Sequence, residues 1–448
     1  MIATIEVIAA LGRESIRALS VPLRALFYLP RRHRWREVAQ SVLGEVAASE
    51  RQDPGEFLAE FTALAGRARS ERPHLFLSAG EASGDAHAAD LLERLAARDL
   101  RCDAFGGPAL ERAGARLLFP LSEHAVMGFF SVLRELPRII RAYARFVRLL
   151  REDPPDLAVL VDYPGLHLVM ARAAKRRGVP VLHYIAPQYW AWGPWRMRRY
   201  RRSIPATLTI LPFEVAFFRR FGVPALYVGH PLLDRLGAVT PDPVASAASA
   251  EQPTLCLLPG SRSAEIRANL PGMLRVAGAL RARHGGLRVV VAHENAARAD
   301  LLSSILKTAA TKADLVIGPL APRLAGARLV LAKSGTGSLE SCLHGTPTVV
   351  VYRLRSFLAA FGYHNLLSIP YIAAANLIAG RKVVPEFCFR RDRGWDRVAE
   401  AALELWADGP ARDACLAGLE DVRRRLGRPG ASARAAAVVS AFLRARKP

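Results

Sequence analysis

Four loops of this 448-residue chain collect the residue types that handle phosphates, sugars and protons. In PGSRSAEIRANL (259–270), Gly260, Ser261 and Arg262 stand between an apolar run and a helical pattern. Backbone amides, a helix dipole and a guanidinium then converge on one point, which suits a diphosphate. The loop lacks the Gly-Lys-Ser/Thr end of a Walker A sequence, so ATP hydrolysis is not indicated. AKSGTGSLESCLHG (332–345) repeats the logic: Ser334, Gly335, Thr336 and Gly337 make a donor-rich turn, and Glu340 in the helix behind it can take ribose hydroxyls. Two such loops in one half of the chain point to a phosphate-bearing nucleotide.

The other two loops carry carboxylates. Asp162 closes the apolar run DLAVLVD (156–162) and is followed by Tyr-Pro-Gly. A carboxylate at a strand's exit is partly desolvated and can serve as a base; a plain helix cap or turn residue would look the same. In SAGEASGDAHAADLLERL (78–95), Gly80 and Gly84 permit a tight turn, Ser83 or Asp85 can cap the next helix, and Glu81 is left at the tip. An anion or a set of sugar hydroxyls would fit there, and so would an ordinary capped turn. The GxGxxG spacing of a dinucleotide fingerprint is absent.

Ligands of open α/β sheets sit beyond the carboxyl ends of strands, so the apolar runs before these loops should be strands. From His74 the runs HLFLS (74–78), DLAVLVD, PVLHYI (180–185), TLTIL (207–211) and ALYVG (225–229) alternate with helical stretches. The pattern breaks at AVTPDPVASAASAEQP (238–253) and resumes with TLCLLPG (254–260), LRVVVAH (287–293), ADLVIGP (313–319), ARLVLAK (327–333) and TPTVVVY (346–352). Short buried runs separated by helices predict an α/β fold with parallel sheets. The expected domains are 73–237 and 254–448, the second with terminal helices, joined by a linker over 238–253. Residues 1–72 fall outside the alternation and read as a helical extension, with Ile16, Leu19, Leu23, Leu26 and Phe27 beside Arg13, Arg17, Arg24, Arg31, Arg32, Arg34 and Arg36. Such a segment can lie on an anionic membrane or pack on the body as an appendage.

With 63 Lys plus Arg against 40 Asp plus Glu, the net charge is +23, which calls for anionic partners: nucleic acid, phospholipid or phosphorylated metabolites. A 51% hydrophobic, 23% charged chain is no disordered polycation. It also carries no helix-turn-helix, zinc-finger or RNP signature, which argues against nucleic acid. In VMGFFSVLRELPRIIRAYARFVRLL (126–150), Arg134, Arg138, Arg141, Arg145 and Arg148 share one helix face, with Phe129, Phe130 and Leu133 supplying apolar area. That face is either solvated over a core stripe or set against an anionic bilayer. The five cysteines form no CxxC pair and the 11 histidines are dispersed, so no metal site is expected and a reducing cytoplasm fits. The start MIATIEVIAALGRESIR lacks a basic n-region and no long uncharged apolar run occurs, so membrane contact is expected to be peripheral.

Eight stretches in order, SAGEASGD (78–85), VMGFFSVLRELPR (126–138), PDLAVLVDYPGLHL (155–168), HYIAPQYWAWGPWR (183–196), LPFEVAFFRRFGVPALYVGHPLLD (211–234), LLPGSRSAEI (257–266), SGTGSLE (334–340) and PYIAAANLIAGRKVVPE (370–386), resemble lipid-A-disaccharide synthases. The resemblance implies two Rossmann-like domains of GT-B type and an inverting, metal-independent glycosyltransferase that needs no cofactor. It implies transfer of 2,3-diacylglucosamine from its UDP conjugate to 2,3-diacylglucosamine 1-phosphate through a β-1,6 bond, releasing UDP. Asp162 matches the family's proposed general base and Arg262 its diphosphate-stabilising Arg. Gly260, Ser261, Ser334, Gly335, Thr336 and Glu340 look like the UDP site, Asn376 matches another residue near the donor, and Glu81, Ser83 and Asp85 would line the acceptor side. A cytoplasmic enzyme peripherally bound to the inner membrane of a Gram-negative cell is implied. Inversion by one in-line displacement needs one base and one leaving-group stabiliser, with no second carboxylate. Another GT-B enzyme acting on a UDP-N-acetylhexosamine, an epimerase or a peptidoglycan-type transferase, is the alternative. Two departures stand out: residues 1–72 have no standard counterpart, and Phe389 falls about where the family places a Gln that reaches the nucleotide, often that of a partner in a swapped homodimer.

Overall fold

The computed structural model describes residues 27–63, 72–95, 100–122, 129–236 and 252–445, together with Gly12 and Ser20. Most of the segment leading to Phe27, and nearly all of the expected linker, lie outside these described residues. The chain divides into two compact units, the first comprising residues 1–42, 46–234 and 428–448, the second 43–45 and 235–427.

The first unit is built on seven parallel strands: β1 (His74–Ala79), β2 (Arg101–Phe105), β3 (Arg116–Phe119), β4 (Leu157–Val161), β5 (Val181–Tyr184), β6 (Ala206–Thr209) and β7 (Ala225–Tyr227). Their order is β3-β2-β1-β4-β5-β6-β7. The order reverses direction between β1 and β4, which pair from Leu75 with Leu157 to Ala79 with Val161, and a crevice opens at the carboxyl ends of such a pair. Every residue of β1, β4 and β5 is buried, which explains their continuous apolar runs. Strands β2 and β3 had no apolar run to announce them: β2 carries buried Asp103, and β3 is a partly exposed edge begun by Arg116.

Between residues 27 and 63 the extension packs as an appendage. Helix α1 (Arg32–Gln40) places Trp35 against Phe221, with ring centroids 6.3 Å apart. Helix α2 (Pro54–Ala63) sinks Phe57 and Phe61 completely into the core of the first sheet. Between them Gln52 brackets edge strand β7, its amide donating to the Ala225 carbonyl and accepting from the Tyr227 N–H at 2.7 Å. An otherwise open strand edge is thereby closed.

Helix α3 (Ala82–Glu93) and helix α4 (Pro108–Arg112) follow β1 and β2. Helix α5 (Phe129–Glu152) buries Ala142, Tyr143, Phe146, Val147 and Leu150, with Phe146 packed 4.8 Å from Phe76 between ring centroids. Arg141, Arg145 and Arg148 are exposed on its opposite side. Arg138 is not part of a free stripe: its guanidinium lies 5.8 Å over the Phe119 ring and donates to the Pro120 carbonyl. The side chains of Phe129, Phe130, Leu133 and Arg134 lie outside those described. No described helix is long and apolar enough to cross a membrane.

The second unit holds six parallel strands, β8 (Thr254–Leu258), β9 (Arg288–His293), β10 (Asp314–Ile317), β11 (Leu329–Lys333), β12 (Thr348–Arg353) and β13 (Glu386–Phe389), in the order β10-β9-β8-β11-β12-β13. Its switch point falls between β8 and β11. The second domain does not run to the C-terminus as expected, because its last helix, Ala431–Ala445, belongs to the first unit. Small and apolar side chains decide this: Ala435, Ala436, Val439 and Phe442 join the core of Leu77, Ala88 and Leu91, and Phe442 stacks on Phe61 at 4.3 Å. Asp234 fixes the helix start by accepting from the amides of Gly430, Ala431 and Ser432 at 2.6, 2.9 and 2.9 Å.

Candidate active site

In the first unit the chemistry gathers where β1, β4 and β5 end. Asp162 follows β4 directly and has φ 50°, and Tyr163 after it has φ 48°. Two consecutive non-glycine residues in the left-handed region cost about 1–2 kcal/mol each, a strain characteristic of functional sites. Tyr163 N-caps helix α6 (Pro164–Arg176), whose leading proline prevents the helix from starting earlier. The Asp162 N–H continues the ladder by donating to the Tyr184 carbonyl at 2.9 Å, while its own carbonyl accepts from two buried histidines, His167 and His183. Burial, then the charge of Glu81, pushes the Asp162 carboxyl up to about 6, against the opposing hydrogen bond from the Tyr163 backbone. That value makes it a capable proton acceptor near neutral pH.

Glu81 is half-buried at the N-terminus of α3, and Ser83 is exposed in its first turn; neither Ser83 nor Asp85 caps that helix. Asp85 is a correction to the acceptor-side expectation. Its carboxylate is buried and committed to the amides of Gly107 at 2.6 Å and Ala109 at 2.9 Å, so it anchors the start of α4 instead. A residue the sequence reading missed is Glu214, on helix α7 (Glu214–Arg220). Completely buried, it accepts from Trp190 Nε1 at 3.0 Å and from the amides of Ile210 and Leu211 at 3.1 and 3.0 Å, and burial pushes it up to about 7. Its one signal was a charge inside the apolar segment LPFEVAFF.

In the second unit Gly260, two residues past β8, has φ +115°, and a Cβ there would lie 2.7 Å from that of Glu265, so only glycine makes this turn. Arg262 N-caps helix α8 (Ser263–His284), with its guanidinium half-exposed and donating to Glu265 at 3.2 Å. The same Glu265 pairs with Lys333 at the end of β11, at 3.1 Å. Burial disfavours the Glu265 charge, but Lys333 and Arg262 more than offset this and hold its pKa down. Two cations and a helix N-terminus thus adjoin the switch point, a composition suited to a diphosphate. Lys333 and Glu265 were not singled out in sequence, because each acquires its role only through the other.

The second phosphate-type loop is present but more structural than expected. Ser334 spends its hydroxyl on the Ile372 carbonyl at 2.7 Å. Gly335 N-caps helix α9 (Thr336–Leu343), its backbone bracketed by Ser338 Oγ, with Thr336 at the helix start. Glu340 is 3% exposed, and burial followed by the Glu294 charge raises its pKa, with Arg235 opposing. Asn376 corrects the donor-side expectation: its amide donates to Val384 O and Glu386, each at 3.0 Å, and accepts from the amides of Val383 and Val384. All its hydrogen-bonding capacity is internal, positioning Glu386 against the amides of Ile372 and Ala373. Phe389 packs edge-on to Trp395 at 5.1 Å within its own unit.

Among the described residues, one group has metal-ligand chemistry, His74, Asp103 and Asp153. Arg116 holds Asp103 through two contacts of 2.7 and 2.8 Å, and Arg101 bridges Asp103 and Asp153, so arginines neutralise it. It lies at the start of β1, the opposite end from Asp162.

Two all-parallel α/β units, each with its polar loops at the carboxyl ends of the strands, define a GT-B type enzyme of two Rossmann-like domains. By structure the chain is similar to the S. aureus MnaA in its UDP co-structure (TM-score 0.54, 14% identity, covering 84% of this chain and 99% of that one) and to the glycotransferase of kitacinnamycin (0.53, 18%, 83% and 99%). The family model for lipid-A-disaccharide synthetase matches residues 75–422. The lipid-A-disaccharide synthase of Myxococcus xanthus is 39% identical over 381 residues, covering 83% of this chain and 98% of the relative. That of Acidobacterium capsulatum is 36% identical over 379 residues, covering 81% and 94%. The chain belongs to the lipid-A-disaccharide synthase family, and is a disaccharide-forming glycosyltransferase.

Proposed function

We propose that the chain joins UDP-2,3-diacylglucosamine to 2,3-diacylglucosamine 1-phosphate, with Asp162 as general base. The observation that carries this reading is the Asp162 carboxyl itself: strained at a strand exit, desolvated and raised to about 6. It would take the proton of the acceptor's 6-hydroxyl as that oxygen bonds to the anomeric carbon. The bond from that carbon to the UDP oxygen breaks in the same displacement, inverting the centre and giving a β-1,6 linkage. Charge developing on the diphosphate would meet Arg262, Lys333 and the amides at the start of α8, with Gly260 and Ser261 allowing close approach. Gly335, Thr336 and Glu340 would take the rest of the nucleotide, and Glu81 and Ser83 the acceptor side. No metal or other cofactor is needed for these roles.

Exposed Arg141, Arg145 and Arg148 support peripheral attachment of the first unit to an anionic bilayer, on the cytoplasmic side of the inner membrane where acylated substrates reside. Purified protein given both lipid substrates should release UDP, and Asp162→Ala or Arg262→Ala should abolish release; full activity in Asp162→Ala would overturn the base assignment. Preference for an unacylated, water-soluble donor would favour an epimerase-like or peptidoglycan-type role instead. Flotation with anionic against neutral vesicles tests the membrane reading, and equal binding to both removes its electrostatic part.

A further inference from the structure

The backbone carbonyl of Asp162 accepts two hydrogen bonds from side chains, one five residues on and one from the neighbouring strand. His167, on α6, approaches it through Nδ1 at 2.6 Å, and His183, on β5, through Nε2 at 2.9 Å. Both rings are completely buried. A carbonyl oxygen has two lone pairs, so its capacity is filled. We propose that His167 and His183 are paired positioning residues that fix Asp162 through its backbone and so aim the general base; this rests on the reading of Asp162 as that base.

The contacts dictate the proton positions. Because a carbonyl only accepts, His167 carries its proton on Nδ1, and its Nε2 accepts from the Ser78 hydroxyl at 2.9 Å. His183 carries its proton on Nε2, and its Nδ1 accepts from the Tyr200 hydroxyl at 2.9 Å. This leaves the Thr207 proton to serve the His183 carbonyl at 3.1 Å, with Tyr200 Oη also 3.0 Å from that hydroxyl. One proton per ring is what a neutral imidazole supplies, and burial first, then in His167 the neighbouring His183, lowers their pKa values to about 3 and 4.

Neutrality matters to the base. An arginine or lysine could hold the same carbonyl, but its charge would stabilise the Asp162 carboxylate and pull its pKa back toward the ordinary range. Two uncharged donors grip the backbone and leave the proton affinity to burial and to the charge of Glu81; buried Glu214, itself pushed up to about 7, is largely protonated where Asp162 titrates. Binding at the carbonyl also opposes relaxation of the left-handed pair Asp162 and Tyr163, because rotating that peptide would break both bonds together.

The test exploits donor position. Asparagine Nδ2 reaches about as far as histidine Nδ1, and glutamine Nε2 about as far as Nε2. The matched variants His167→Asn and His183→Gln should therefore keep most of kcat. The variants His167→Phe and His183→Phe should lose about tenfold or more in kcat, with KM for the UDP-sugar within about twofold and the acid limb of the kcat profile moved to lower pH. The crossed variants His167→Gln and His183→Asn should resemble the phenylalanine ones even where melting temperatures match those of the rescued pair. Wild-type kcat in folded phenylalanine variants, or losses that follow melting temperature and ignore donor position, would overturn the clamp. Asp162→Asn run in parallel separates the two readings: if it is inactive while the phenylalanine variants are active, the clamp alone falls. If it retains full kcat, the base assignment falls and the clamp with it.

Discussion

The ring of Tyr163 occupies the space that a Cβ on Gly80 would need, its Cγ and both Cδ atoms being the nearest neighbours. The loop after β1 and the strained turn after β4 are therefore fitted to each other, and a Cβ at residue 80 would have to displace the side chain next to Asp162. Gly80→Ala should cost about 1–3 kcal/mol of stability through overpacking and at least about tenfold in kcat through displacement of the base. Gly84, four residues on in α3, is the stability control. A Cβ there meets Ala79 at 3.5 Å, an ordinary contact, so Gly84→Ala should be neutral or slightly stabilising in thermal melts.

The raised Asp162 carboxyl gives a pH signature with opposite signs for activity and stability. On the proposed role of Asp162 the ionised form would be the working base, so kcat should fall as pH drops through about 6. Stability runs the other way. The unfolded chain ionises this group near its ordinary 3.8 and the folded chain only near about 6, so the group penalises the fold progressively between those values and fully above them. Asp162→Asn should lose about a hundredfold or more in kcat, yet gain on the order of 1 kcal/mol at neutral pH. That gain should vanish below about pH 4, as melting curves across the range would show.

Much of this arrangement was legible in the sequence, and the rest was hidden for definable reasons. Strands β1, β4 and β5, and β8, β9, β11 and β12, are apolar runs buried in a parallel sheet, so composition alone betrays them. Strand β2 carries Asp103, tolerable only because Arg101, Arg116 and His74 surround it in space, and β13 is a short edge after Pro385. The same limit applied to side chains. Asp85 and Asn376 had the right polarity and place to be ligands, but a one-dimensional pattern does not show that Gly107, Ala109, Val383 and Val384 already consume their hydrogen bonds. The places of Asp162, Gly260 and Arg262 were readable because a strand exit and a helix start are features that sequence does encode.

Lys333 and Arg262 share one counter-ion, Glu265, and a diphosphate would compete with it for both cations. Lys333→Met should weaken UDP binding about tenfold, measurable by product inhibition or calorimetry, with the difference shrinking at high salt. Arg262→Lys keeps a charge but loses the planar fork that grips phosphate from two directions, so it should recover only part of what Arg262→Ala loses. Unchanged UDP affinity in Lys333→Met would remove this residue from the donor site.

Phe61 of the extension and Phe442 of the last helix stack at 4.3 Å, so the two ends of the described chain share one core with the first sheet. Each is completely buried, and Phe61→Ala or Phe442→Ala should cost about 3–5 kcal/mol. Because they fill adjoining space, the double variant should cost less than the sum by about 0.5–3 kcal/mol, which a denaturant double-mutant cycle would resolve. Gln52→Ala should add about 1 kcal/mol independently, since it frees an amide and a carbonyl of edge strand β7 that water can partly satisfy. If α2 were a detachable membrane tether, Phe61→Ala would lower vesicle binding and leave the melting curve in place. Its burial against β7 and the last helix predicts the reverse, a marked loss of stability with vesicle binding of the folded protein unchanged.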